Sequence, residues 1–98
     1  MPAYAILTIS VDDADAYTAY RERSPAALER YDGRYLARGG AIEAIEGDWR
    51  PERVVILEFP SLARAHEWYD SPEYRAIREI RQQAAPTRMI FVDGVAPG

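Results

Sequence analysis

Between Tyr4 and Val11 the chain reads Tyr-Ala-Ile-Leu-Thr-Ile-Ser-Val, a run of strand formers that ends at Asp12-Asp13. Alternate side chains of a strand face opposite ways, so the run sorts into two faces. Ala5, Leu7, Ile9 and Val11 are wholly apolar, whereas Tyr4, Ile6, Thr8 and Ser10 are mixed. The period then changes: Asp13 is placed to cap a helix with Asp15 in its first turn, and Tyr17, Tyr20, Ala27, Leu28 and Tyr31 recur at helical spacing. Pro25 removes a backbone donor inside this helix. A kink or break is therefore expected near Ser24, with Ser24 capping a restarted turn and Asp32-Gly33 ending the helix.

A second strand is expected from Gly33 to Ala37, interrupted by a bulge or bend at Gly39-Gly40 and resumed from Ala41 to Glu46. Gly47-Asp48-Trp49-Arg50-Pro51 supplies a turn, and Arg53 to Phe59 returns as strand three of a long hairpin. Val55, Leu57 and Phe59 lie on one side of that strand and Val54, Ile56 and Glu58 on the other, so Glu58 alone breaks a doubly apolar pattern. Ser61 caps a helix that buries Leu62, Ala65, Trp68 and Tyr69. Ser71-Pro72-Glu73 starts another, from Pro72 to about Ala84, with Tyr74, Ile77 and Ile80 as its stripe. Arg88 to Asp93 is the fourth strand.

The order β, α, β, β, α, β describes an α+β, ferredoxin-like domain: a four-stranded antiparallel sheet with the helices on one face. Helices cover only one side, yet strands one, three and four carry apolar side chains on both. The uncovered face needs a partner. Two such sheets packed face to face give a dimeric α/β barrel with a small cavity between or beside them.

The length of 98 residues fits a single domain over 1–98, small enough that self-association would add burial the monomer lacks. Cysteine is absent, which excludes disulfides, thiolate metal sites and cysteine nucleophiles. One histidine per chain and no cysteine leave only carboxylates as metal donors, without the spacing of a known metal-binding loop. The net charge is -4 and the twelve basic residues are all scattered arginines, which disfavours nucleic-acid binding. Without lysine there is no Schiff-base chemistry. No leader and no membrane span is evident, so a soluble, cytoplasmic protein is expected. The absence of lysine and asparagine beside abundant alanine and arginine suggests a GC-rich bacterial genome.

Five short motifs form a set: Arg38-Gly39-Gly40, Gly47-Asp48-Trp49, Leu57-Glu58-Phe59-Pro60-Ser61, Trp68-Tyr69-Asp70-Ser71-Pro72-Glu73-Tyr74, and the strand Tyr4 to Val11. In this order and spacing, over nearly the whole chain, they resemble the DUF1330 family of small bacterial proteins of unknown function. The resemblance implies the dimeric α/β-barrel superfamily, whose other branches include cofactor-free monooxygenases, muconolactone isomerase-like enzymes and haem-dependent members. It implies no catalytic residue.

Candidate chemistry is therefore read from single side chains. Glu58, set among apolar neighbours, would be a base if desolvated, or would pair with Arg38 or lie at a wet strand end. Arg38 would anchor a substrate carboxylate. His66 would be an accessory acid, or a half-exposed helical residue. Trp49 would pack across a dimer or line a cavity mouth, and Tyr4 and Thr8 would add hydroxyls to an inter-sheet cavity. The expected function is binding or cofactor-free conversion of a small aromatic or carboxylated metabolite in an inter-sheet pocket. The alternative is a non-catalytic binding or structural dimer.

Overall fold

A computed structural model describes residues 1–96. Strand β1 (Ala3–Ile9) leads into helix α1 (Ala14–Arg30), then strands β2 (Arg34–Arg38) and β3 (Arg53–Phe59). Helices α2 (Leu62–Asp70) and α3 (Pro72–Ala84) precede strand β4 (Thr87–Asp93). The sheet is ordered β2-β3-β1-β4 with every neighbouring pair antiparallel, which is the ferredoxin-like arrangement. No helix among the described residues is long and apolar enough to cross a membrane.

Local signals set most boundaries. Asp13 accepts a hydrogen bond from the Ala16 amide and begins α1, and Ser61 does the same for α2 through the Arg64 amide. Ser71 serves two helices: its hydroxyl donates to the Trp68 carbonyl at 2.7 Å and accepts from the Tyr74 amide at 3.0 Å. One side chain thereby closes α2 and opens α3, and the Pro at the first turn of α3 needs no amide partner there. At the end of α1, Asp32 takes the left-handed conformation with φ 62°, and the Gly33 amide bonds back to the Leu28 carbonyl. Gly33 is needed for closeness: a β-carbon there would collide with Leu28 and Phe59.

Burial alternates along the central strands as expected. Ala3, Ala5, Leu7 and Ile9 of β1 and Val55, Leu57 and Phe59 of β3 are buried beneath the helices. Tyr17, Tyr20, Ala27 and Leu28 of α1, Trp68 of α2, and Tyr74, Ile77 and Arg81 of α3 pack on them. The opposite face has no covering layer. Register places Tyr4, Ile6 and Thr8 there beside Val54, Ile56 and Glu58 on one side and Arg88, Ile90 and Val92 on the other. Ile90 is 60% exposed and Val92 42% exposed, and the molecule measures 40 × 38 × 16 Å, a slab with one apolar face open.

Four expectations need correction. The helix does not break at Pro25: α1 runs unbroken from Ala14 to Arg30, and Ser24, instead of capping a new turn, shares a 2.6 Å hydrogen bond with the Tyr35 hydroxyl. Strand two does not resume after the glycines; residues 40–52 form an arm without helix or strand, on which Ile42, Ile45 and Trp49 are exposed. No strand is positioned to pair with 41–46, so the hairpin is short. The bulge falls between Tyr35 and Ala37 and not at Gly39-Gly40. Strand β1 also stops at Ile9, two residues short of Val11.

Candidate functional site

The residue that carries α1 through Pro25 sits on another element. Proline has no amide hydrogen, so the carbonyl four residues earlier, that of Arg21, loses its helical partner. The Arg38 guanidinium supplies the replacement, Nη2 donating to the Arg21 carbonyl at 2.6 Å. The bulge after Tyr35 turns Arg38 to the helix side, level with Val55. Its guanidinium lies 4.5 Å from the Tyr35 ring centre, and the Tyr35 hydroxyl meets Ser24. Arg38, Tyr35 and Ser24 thus clamp β2 to the middle of α1.

Inside that clamp is a partly enclosed cavity of about 20 Å³, with Leu7, Ile9, Val55 and Leu57 as floor and α1 as roof. Tyr17, Tyr20, Ser24, Tyr35, Arg38 and Arg53 supply its polar wall. Arg53 is the first residue of β3 and shares the helix-side face with Val55, Leu57 and Phe59. Its guanidinium lies 5.6 Å from the Tyr17 ring centre and over the backbone of Gly39. Any β-carbon at residue 39 would strike that guanidinium, and Gly39 has φ 69°. These two demands account for a glycine there; Gly40 has open space around it and no such demand. Nε and Nη2 of Arg53 are buried and have no hydrogen-bond partner among the described residues.

Behind the cavity wall lies a second polar group. The Tyr20 and Tyr74 hydroxyls share a 2.7 Å hydrogen bond, and burial pushes the Tyr20 phenol well above the ordinary tyrosine range and raises that of Tyr74. Arg81 is only 4% exposed and its guanidinium is 6.0 Å from the Tyr20 ring centre. Burial works against its charge, but the neighbouring Tyr74 and Tyr20 oxygens outweigh that and favour the protonated form. Among the described residues no carboxylate is buried with it.

The residues singled out from sequence do not converge. Glu58 lies on the open sheet face, where Arg34, directly opposite on β2, donates from Nε at 2.6 Å. Its partner is Arg34 and not Arg38, because Arg38 is at the other end of β2 and points to the other side. His66 is exposed on α2 and meets Phe91 edge-on with ring centres 5.1 Å apart. Tyr4 lies on the open face near Glu58, at the far end of β1 from Thr8. Thr8 and Trp49 do share a broad depression at the sheet's end with Ser10, Arg50, Glu52 and Arg88, where Trp49 is 66% exposed. Among the described residues no group of three His, Asp or Glu side chains is arranged to hold a metal ion.

Arg53 was the residue missed. Its signal was an arginine in phase with Val55, Leu57 and Phe59, the strand positions that face the helices.

The sequence model of a domain of unknown function, DUF1330, matches residues 2–95. No curated protein matches the chain. A protein of unknown function from Rhodopseudomonas palustris is similar in structure, with TM-score 0.75 and 26% identity over 98% of this chain and 84% of that one. SnoaB, a cofactor-independent oxygenase from Streptomyces nogalater, shares the fold at TM-score 0.65 and 6% identity, covering 98% of this chain and 95% of its own. A putative antibiotic biosynthesis monooxygenase from Nitrosomonas europaea does so at 0.62 and 16%, covering 98% of this chain and 100% of its own.

Proposed function

The chain belongs to the DUF1330 family, and from that premise we propose that it is a homodimeric binder of a small organic molecule. Two copies join through their open sheet faces, and each takes its ligand in the cleft beneath α1. The observation that carries the binding half is a convergence: an apolar floor, the Tyr17, Tyr20, Tyr35 and Ser24 side chains and two guanidiniums meet on one partly enclosed space. Largely apolar walls with a few aimed polar groups are what ligand pockets share. The oxygenase and putative monooxygenase that share the fold support a small-molecule role.

The dimer half rests on the open face. Ile6, Val54, Ile56, Ile90 and Val92 form a continuous apolar stripe across β3, β1 and β4 with no helix above it. Sheets pack about 10 Å apart through such faces. In that arrangement the Thr8 and Trp49 depression lies at the edge of the joint, where Trp49 would find cover against the partner. Catalysis by Glu58 and His66 forms no part of the proposal, because the Arg34 ion pair and the Phe91 contact hold them outside the cleft.

A purely structural dimer is the second reading, favoured by the size of the cavity in this form, about 20 Å³. That is little more than one water requires. Amide NMR spectra recorded against a panel of small aromatic acids, amides and alcohols separate the two. Binding beneath α1 shifts the amides of Tyr17 to Leu28, Tyr35 to Arg38 and Arg53 to Leu57. Spectra unmoved by every compound would favour the structural dimer.

A further inference from the structure

Resting on the reading that the cleft beneath α1 binds a small molecule, we infer that its occupant is an organic carboxylate, gripped by the Nε and Nη2 edge of Arg53. The atoms themselves carry the inference. The guanidinium edge formed by Nε and Nη2 is one of two that present a parallel pair of N–H bonds with the spacing of a carboxylate's two oxygens. Those are the two Arg53 atoms that are buried without a partner. Arg34 gives its Nε to Glu58, Arg30 to Glu73 and Arg64 to Asp32, and Arg78 and Arg81 each leave Nε alone buried without a partner, whereas Arg53 leaves both Nε and Nη2. Arg53 enters no ion pair among the described residues.

Charge around the cavity points the same way. Arg53 and Arg38 stand on its wall, Arg81 lies behind Tyr20, and no aspartate or glutamate lines the space. The whole chain carries a net charge of -4, so this concentration of unneutralised cations runs against the average of the molecule. Desolvated cations are costly unless an anion and its hydrogen bonds accompany them. A carboxylate supplies both, whereas a neutral amide or alcohol supplies only acceptors. Gly39, by leaving room over its backbone for the guanidinium, holds Arg53 in place. The Tyr17 ring beside it offers an aromatic surface to the body of the ligand.

The cavity of about 20 Å³ admits only the head of such a molecule. Arg38, which closes the wall through its bond to the Arg21 carbonyl and its stack on Tyr35, is the side chain that must yield to the rest.

The test uses benzoate and acetate against their neutral counterparts benzamide and acetamide, with chloride and phosphate as ionic controls. Dissociation constants come from calorimetry, and the Arg53 Nε–H resonance is followed by NMR. The full-length protein should bind benzoate at least about tenfold more tightly than benzamide, in line with hydrogen bonds to a charged group. The Arg53 Nε–H signal should move on titration. Arg53→Gln should abolish that preference, while Arg53→Lys, which keeps charge but loses the fork, should retain a part of it. Unliganded melting curves of each variant establish that it is folded. A benzoate preference that survives Arg53→Gln, or an unmoved Nε–H signal, overturns the assignment to Arg53. Equal binding of benzoate and benzamide with cleft amides shifting overturns the carboxylate class but leaves small-molecule binding standing. Binding by none of the compounds overturns both.

Discussion

At the scale of single residues, Pro25 and Arg38 form a unit although they lie on different elements. Proline removes one amide, the Arg21 carbonyl loses its partner, and Arg38 restores it at 2.6 Å. If that is the role of the bond, the two positions are coupled. Arg38→Leu should cost about 1 kcal/mol in the natural chain, the ordinary net worth of such a bond. In a Pro25→Ala background, where the residue 25 amide can again reach the Arg21 carbonyl, the same change should cost measurably less. Urea unfolding of the four proteins in a double-mutant cycle checks this. Equal costs in the two backgrounds would mean that Arg38 acts only through its stack on Tyr35. The structural duty does not displace a binding one, since a guanidinium has five N–H groups and this bond uses one.

Between elements, α1 and α3 are tied by Glu73. It receives Arg30 Nε at 2.9 Å and the Tyr31 hydroxyl at 2.8 Å, both from the end of α1. Its carboxyl is held below the ordinary range first by its own backbone amide at the start of α3, then by Tyr31. A lowered carboxylate pKa stabilises the fold fully above the unfolded value, about 4.3, and that contribution is lost as pH falls through the folded value. Tyr31→Phe should therefore raise the Glu73 pKa, read by carbon NMR of its carboxyl. The stability gap between variant and natural protein should narrow on acidification. Much of this element scale was legible beforehand, because caps and stripes are local: Asp13, Ser61 and Ser71 begin their helices where sequence placed them. Residues 41–46 were misread because strand structure needs a neighbour, and Ile42 and Ile45 meet none. Pro25 was misread because the compensating donor lies 13 residues away on a strand. The sequence suggests a Glu58–Arg38 pair because the bulge at Leu36, which turns Arg38 to the opposite face, leaves no mark in the alternation.

For the whole molecule, the two faces of the sheet differ: the helix side holds the arginine and tyrosine cleft, and the open side is the face through which we propose that two copies join. A slab 16 Å thick, with Ile90 60% exposed at the β4 end of an apolar stripe, has the form expected of half a sandwich. In the proposed dimer, burying the stripe against itself would supply the missing layer and leave the helix side free to admit a ligand. Ile90 is exposed in the single chain, so a charge there leaves the core packing of one protomer intact while opposing face-to-face contact. The most direct measurement is sedimentation equilibrium of the natural protein and of Ile90→Glu at micromolar concentration. The account predicts twice the 11.1 kDa chain mass for the natural protein and a folded species of one chain mass for the variant. A natural protein that sediments at one chain mass, or a variant that remains a dimer, would contradict it.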